Sequence, residues 1–309
     1  MALDGSSPLI LSRLGLGSWP FGGGYDWGPL DENAAQKAVF AALDAGINWI
    51  DTAPIYGEGQ SEEFLGRILK GRRANVFLAS KCGLVKNGSW TDHDLRPQSI
   101  RKQITDSLTR LKTDYLDLYQ IHYPDPKIPF AEAVGELVRL QQGGLVRAIG
   151  LCNVSAAQIQ AASDVTSVFS VQNEFSLLHP QAGQNVFDAC RRCGARFIGY
   201  GVLCGGILSG KYKTAPNLRR ADARNYFYKC YRGQDFAKAQ EVVGRVQKLA
   251  GQKNVSPSAV AVAWALHKPG VSCVLFGART ETQVAQNTAA QTVQLSAPEI
   301  EFLEGKNEL

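Results

Sequence analysis

The sequence predicts an α/β protein, a closed (β/α)8 barrel. Three observations carry that prediction. Eight short β-rich apolar runs recur along the 309 residues, amphipathic helical stretches separate them, and no Pro-, Gly- or Ser-rich linker divides the chain. Strands that alternate with helices pair in parallel through right-handed crossovers, and eight such units within about 250 to 300 residues close on themselves. An open doubly wound sheet is the competing arrangement. With no internal boundary, residues 1–309 are expected to form one domain.

The runs, in order, are "LGLGSW" (14–19), "INWIDTA" (47–53), "VFLASK" (76–81), "YLDLYQIH" (115–122), "VRAIGLC" (146–152), "VFSVQ" (168–172), "RFIGYG" (196–201) and "SCVLFG" (272–277). Helices are expected near 32–45, 60–70, 97–112, 130–142, 155–163, 182–193, 256–267 and 280–290, with an additional one near 235–250. Capping residues support several of these: Ser61 or Glu62 opens one, Pro97 another, and Ser256 precedes Pro257 in a helix that stops at a Pro-Gly pair after His267. The longest irregular stretch, 202–234, follows the seventh strand, and a connection of that length in a compact domain is usually functional.

Hydrophobic residues make up 45% of the chain and charged residues 20%, which excludes disorder and fibrous repeats. The formal charge of +5 is spread over short, scattered clusters ("KGRR" at 70–73, "RR" at 191–192 and 219–220), so no nucleic-acid partner is expected. The opening "MALDGSSPLILSRLGLGSW" lacks a basic segment followed by an apolar one, and no run of about 18 apolar residues occurs. No membrane partner is expected. Seven thinly spread cysteines suit reduced thiols, and the cytoplasm is the expected compartment.

In such a barrel the active site collects at the C-terminal ends of the strands. The second run ends at Asp51, with Pro54 turning the chain and Tyr56 just beyond; the third ends at Lys81; the fourth ends at His122. Taken singly, each has an ordinary reading: a turn cap, a half-buried aromatic, a snorkelling lysine, a satisfied core histidine. Three neighbouring strands nevertheless deliver Asp, Lys and His to one rim. A lysine ending "VFLAS" needs an anion to stay charged, and Asp51 is the natural one. Such a cation is expected to lower the pKa of a nearby phenol and fit Tyr56 for proton exchange with a carbonyl oxygen.

The stretches "GINWIDTAPIYGEGQSEEFLG", "ASKCG", "SLTRLKTDYLDLYQIH", "GLVRAIGLCNVS" and "VLFGARTETQVAQN" resemble, in order and spacing, the bacterial-type aldo-keto reductases, from about residue 9 to residue 290. The resemblance implies a catalytic tetrad of Asp51, Tyr56, Lys81 and His122 and a nicotinamide cofactor lying across the barrel mouth. It implies hydride transfer to or from an aldehyde or ketone carbon, with Tyr56 exchanging the proton, Lys81 and Asp51 tuning it, and His122 orienting the carbonyl.

Two glycine-rich stretches imitate other nucleotide sites. "GYGVLC" (199–204) puts Cys204 where a Rossmann fingerprint has its third glycine, and "GGILSGKY" (205–212) puts Tyr212 where a P-loop has its hydroxyl. The resemblance instead lays this backbone along a pyrophosphate. Tyr200 would stack on nicotinamide, Gly201 and Val202 would follow, the amides of Leu203, Cys204 and Gly205 would face phosphate, and Asn153 and Gln172 would bond the carboxamide. Ser18 and Trp19 join the cofactor set from the first strand. Related sequences often carry Ser before that Asn and Ser-Pro after that Tyr, where this chain has Cys152, Gly201 and Val202.

After the eighth run, "GARTETQVAQN" opens a helix, so its amides and Arg279 form an anion site. By resemblance Arg279 meets the adenosine 2′-phosphate while Gln283 and Asn287 contact adenine, and Gly277 and Ala278 join the cofactor set beside them. This favours NADP over NAD, although Glu281 is placed to accept a ribose hydroxyl. Trp19, Trp27, Trp90, Tyr123 and Tyr226 form the expected substrate pocket for a small carbonyl or sugar.

Cys190 and Cys193 form a lone C-x-x-C, and His93, His179 and His267 fall in no H-x-H or H-x3-H spacing, so no metal is expected. Three other functions compete with carbonyl reduction. They are a sugar dehydrogenase working oxidatively, a cofactor-sensing regulatory subunit, and a lyase or isomerase using Lys81 as a Schiff-base nucleophile.

Overall fold

In the computed structural model, which describes residues 10–88 and 90–308, eight parallel strands close into a barrel. They are β1 (Leu14–Gly17), β2 (Trp49–Asp51), β3 (Phe77–Cys82), β6 (Leu116–Ile121), β7 (Val146–Cys152), β8 (Ser170–Glu174), β9 (Arg196–Tyr200) and β10 (Val271–Gly277), and β10 pairs back onto β1. An antiparallel hairpin, β4 (Leu84–Asn87) with β5 (Trp90–His93), interrupts the series after β3. All eight expected strands are present. The hairpin was not expected.

Helices Glu32–Asp44, Gln60–Ile68, Pro97–Leu111, Phe130–Gln142, Ala156–Ser163 and Gln184–Cys193 connect successive barrel strands. The final connection contains a loop with short helical turns and the helices Gly233–Lys253 and Pro257–His267. Helices Glu281–Thr288 and Ala297–Leu303 follow β10. Ser256 caps its helix as expected, its Oγ accepting the Ala259 N–H at 3.1 Å. The cap expected at Ser61 or Glu62 is absent: the helix opens at Gly59, whose φ of 97° suits glycine. Ser61 is instead buried, donating to Ser18, and buried Glu62 accepts from Ser80 and Arg110.

Side chains two residues apart in a strand share a face, and this alternation builds the site. Trp49, Phe77, Ala79, Leu118, Ala148, Ile198, Cys273 and Leu275 belong to one apolar cluster, the barrel interior. Moving up the same faces, Trp49 leads to Asp51, Ala79 to Lys81, and Leu118 to Gln120 and then His122. The interior therefore changes from an apolar floor to a polar rim at the C-terminal end. Gly15 is required by the floor, because a Cβ there would lie 2.2 Å from the Trp49 ring. A second, larger apolar cluster seals the helices onto the outside of the sheet. Among the described residues, no helix is long and apolar enough to cross a membrane.

Candidate active site

Lys81 sits at the centre of the rim, fully buried. Its Nζ donates to Asp51 Oδ2 at 2.5 Å, to the Thr52 carbonyl at 2.9 Å and to the Tyr56 hydroxyl at 3.1 Å. Three acceptors match the three donors of an ammonium. Asp51 is equally occupied: its Oδ1 accepts from Gln120 Nε2 and Gln172 Nε2, each at 2.9 Å. Burial pulls the Lys81 pKa down, but Asp51 and Tyr56 outweigh it and the amine stays protonated.

The Tyr56 phenol departs from expectation. Burial pushes its pKa up, Lys81 pulls it down and Asp51 pushes it up again, with a net rise. Lys81 acts in the anticipated direction, but removing the phenolate from water is the larger effect. Tyr56 is therefore a protonated acid near neutral pH. Because an ammonium can only donate, the phenol oxygen is the acceptor in their bond, and its own proton stays available for another acceptor. The His122 ring meets the Tyr56 ring edge-on, centroids 5.9 Å apart. Burial and then the Lys81 charge hold the His122 pKa well below its ordinary value, so the imidazole is neutral.

Tyr56 is positioned by a backbone contact. A Cβ on Gly57 would lie 2.0 Å from the Gly22 carbonyl oxygen, and Gly57 has φ of 62°. Gly57→Ala should therefore lower both thermal stability and turnover, the left-handed backbone alone costing about 1–2 kcal/mol. Thermal denaturation and steady-state rates measure both effects.

Three of the residues expected at the cofactor, Asn153, Gln172 and Tyr200, are tied by hydrogen bonds to the rim or to one another. The Tyr200 hydroxyl donates to Asn153 Oδ1 at 2.7 Å, and Asn153 Nδ2 donates to the His122 carbonyl at 2.9 Å. Gln172 has its nitrogen committed to Asp51 and, at 3.3 Å, to Gln120, so any further contact with a ligand's donor falls to its oxygen. Gly201, Cys204, Gly205 and Gly206 all have positive φ, between 46° and 99°. Repeated left-handed residues of this kind form concavities that suit anions. The Cys204 N–H, however, bonds the Gly201 carbonyl at 2.7 Å and is not free to face an anion. The Val202 and Cys204 side chains are buried in the core. Ser18 is buried and its N–H bonds the Asp51 carbonyl at 2.9 Å.

Beyond β10, Arg279 reaches to the neighbouring loop after β1, its guanidinium donating to the carbonyls of Trp27, at 3.0 Å, and Pro29. It pairs with no carboxylate among the described residues. Burial pulls its pKa down and Asp31 opposes. Gln283 Oε1 accepts the Arg279 N–H at 2.7 Å, so this glutamine shapes the loop. Asn287, only 3% exposed, donates to the Gly277 carbonyl at 3.4 Å, and Ala278 is buried beside it.

Of the expected pocket aromatics, Trp19 lies 6.1 Å from the Tyr56 ring and meets Trp27 edge-on at 5.3 Å, while Tyr123 stacks on His122 at 5.4 Å. Trp90, 77% exposed at the tip of the hairpin, has no ring contact with this group among the described residues. Tyr226 is exposed, its hydroxyl donating to the Arg220 carbonyl, and its neighbour Phe227, 57% exposed, meets the Trp19 ring edge-on at 5.0 Å. Gln120 was missed by sequence reasoning. Its signal was its place two residues before His122 on the same strand face.

A sequence profile of the aldo/keto reductase family matches residues 13–308. The chain is 37% identical over 277 residues to the aldo-keto reductase YhdN of Bacillus subtilis, covering 88% of this chain and 83% of that protein. It is 33% identical to the NADH-specific methylglyoxal reductase of Escherichia coli, covering 94% and 93%, and 33% identical to an NADP(+) aldo-keto reductase of Schizosaccharomyces pombe, covering 87% and 81%. The fold superimposes on a glycerol dehydrogenase from Gluconobacter oxydans with a TM-score of 0.85 at 34% identity, covering 97% and 94% of the two chains. A nicotinamide-dependent barrel oxidoreductase is thus indicated by the sequence match and by the fold alike: the chain belongs to the aldo/keto reductase family.

Proposed function

We propose that the protein is an NADP-dependent reductase of small aldehydes, ketones or aldoses, with Tyr56 as its general acid. The carrying observation is the saturation of Lys81 by Asp51, Thr52 and Tyr56, which leaves one proton, that of the phenol, free to move. Bound reduced nicotinamide supplies the hydride. Tyr56 gives its proton to the carbonyl oxygen as negative charge develops there, and the Lys81 ammonium stabilises the phenolate left behind. Asp51 keeps Lys81 charged and in place. Neutral His122 donates a hydrogen bond that orients the carbonyl, and Trp19 and Trp27 flank Tyr56 on the other side. Trp27 Nε1, buried without a partner among the described residues, is a second donor for a bound ligand.

The preference for NADP rests on Arg279, whose guanidinium is tied, among the described residues, to backbone carbonyls at the rim and to no carboxylate. A guanidinium so placed offers a charge-assisted contact to a phosphate. Arg279→Gln is expected to weaken NADPH binding about 10- to 100-fold, the loss of roughly 1.5–3 kcal/mol, and to leave NADH binding unchanged. Tryptophan-fluorescence titration with both cofactors measures this, and equal weakening of the two would remove Arg279 from the 2′-phosphate site. The similarity to a glycerol dehydrogenase favours a second reading, oxidation of a polyol or sugar by the same residues run in reverse. Rates on a panel of aldehydes, aldoses and polyols, measured in both directions, separate the two.

A further inference from the structure

The turn after β8 and the loop after β9 bring together three groups for which hydride transfer has no use. Glu174 ends β8, His179 lies in the following turn, and Cys204 opens the helical turn beyond β9. One carboxylate oxygen, one imidazole nitrogen and the thiol sulfur of these residues all lie within 4.8 Å of one another. Glu174 Oε1 stands 3.9 Å from His179 Nε2, too far for a hydrogen bond. That oxygen is buried and has no hydrogen-bond partner among the described residues. A buried acceptor without a partner is costly and calls for a cation or a donor.

We propose that Glu174, His179 and Cys204 form a binding site for a zinc-class divalent ion, with water completing the shell. Thiolate, imidazole and carboxylate together are the donor set of zinc rather than of magnesium or calcium, which take oxygen. In a tetrahedral site with ordinary zinc bond lengths, neighbouring donors stand roughly 3.3 to 3.6 Å apart. The 3.9 Å separation of Glu174 and His179 therefore needs only a small contraction. Their side chains, 33% and 43% exposed, are free to make that adjustment and give an ion a way in, while the sulfur stays buried. The Cys204 thiol also contacts Ser176 Oγ at 3.1 Å and hydrogen-bonds the Cys230 thiol. A second sulfur is thus beside the first.

The sequence spacing that argued against a metal missed this arrangement because the ligands come from two different connections, brought together by the pairing of β8 with β9. Occupancy would clamp the loop after β9 to the end of β8. Burial pushes the Glu174 carboxyl up in pKa, and the bond to Cys230, with burial, does the same to the Cys204 thiol. A zinc-bound thiolate has lost its proton, so uptake must displace that of Cys204, and affinity is expected to fall as pH is lowered.

The test uses the full-length protein dialysed against a chelator and titrated with Co2+ under reducing conditions, then with Zn2+ against a chromogenic chelator. The expected result is one equivalent of cobalt with a near-ultraviolet sulfur-to-cobalt band that zinc abolishes. Glu174→Gln and His179→Gln should each weaken zinc binding at least about 10-fold, since even groups behind a ligand cost that much. Both positions are partly exposed, so these variants are expected to fold, and circular dichroism checks that they do. Cys193→Ser should leave binding unchanged. No sulfur-to-cobalt band, or zinc affinity unaffected by Glu174→Gln and His179→Gln, overturns the proposal, and so does loss of binding in Cys193→Ser.

Discussion

Tyr56→Phe should lower kcat by about 100- to 10,000-fold, the usual contribution of a general acid, while leaving NADPH affinity intact. The substitution removes only the hydroxyl. The ring keeps its place against Trp19 and His122, and Lys81 keeps Asp51 and the Thr52 carbonyl. Any loss of stability is confined to the one bond Lys81 gives up, about 1–3 kcal/mol at most. The pH dependence follows from the direction of the phenol's shift. Burial raises the Tyr56 pKa and Lys81 only partly offsets it, so the acid form persists well above neutrality. Reduction should therefore be level between about pH 7 and pH 9, whereas oxidation, which needs the phenolate, should rise with pH over the same range. Steady-state rates in both directions, with cofactor titration of the variant, provide the check. Unchanged turnover in Tyr56→Phe would defeat the assignment of the acid.

The barrel was legible because each of its strands is a short apolar run, and strands buried on both faces need little else. The hairpin was not, because "LVKN" and "WTDH" are exposed or half-exposed throughout and show no apolar alternation. The helix Ala297–Leu303 did leave a signal, the Ser296 and Glu299 capping box, in a segment without a strong apolar stripe. At the site, Asp51, Lys81 and His122 could be found from strand ends alone. The orientation of Tyr226 and its aromatic neighbours could not be read by the same route, since side chains in an irregular loop point according to backbone angles that no periodicity records. The sign of the Tyr56 shift was hidden for another reason: it is a balance between burial and charge, and only the depth of the phenol decides it.

Asp51→Asn and Lys81→Met should destabilise the protein unequally, although each breaks the same 2.5 Å pair. In Asp51→Asn a neutral amide replaces the carboxylate, so the ammonium is left fully buried without its counter-charge, and stranding a buried charge in this way costs about 3–5 kcal/mol. Without the lysine, Asp51 still accepts two amide bonds, from Gln120 and Gln172, and its loss is cushioned. Lys81→Met is therefore expected to be the milder change in a denaturant titration. The double variant should be less destabilised than the sum of the two, because the second substitution removes the charge stranded by the first. Activity should fall in all three: Lys81→Met and the double variant present no cation to the Tyr56 oxygen, and Asp51→Asn removes the carboxylate that holds that cation in place. If Lys81→Met proves the more damaging, the glutamines do not carry the carboxylate, and the pair is held by Lys81 alone. If the double variant is additive, the two charges do not act as a unit and Asp51 serves the rim through Gln120 and Gln172 instead.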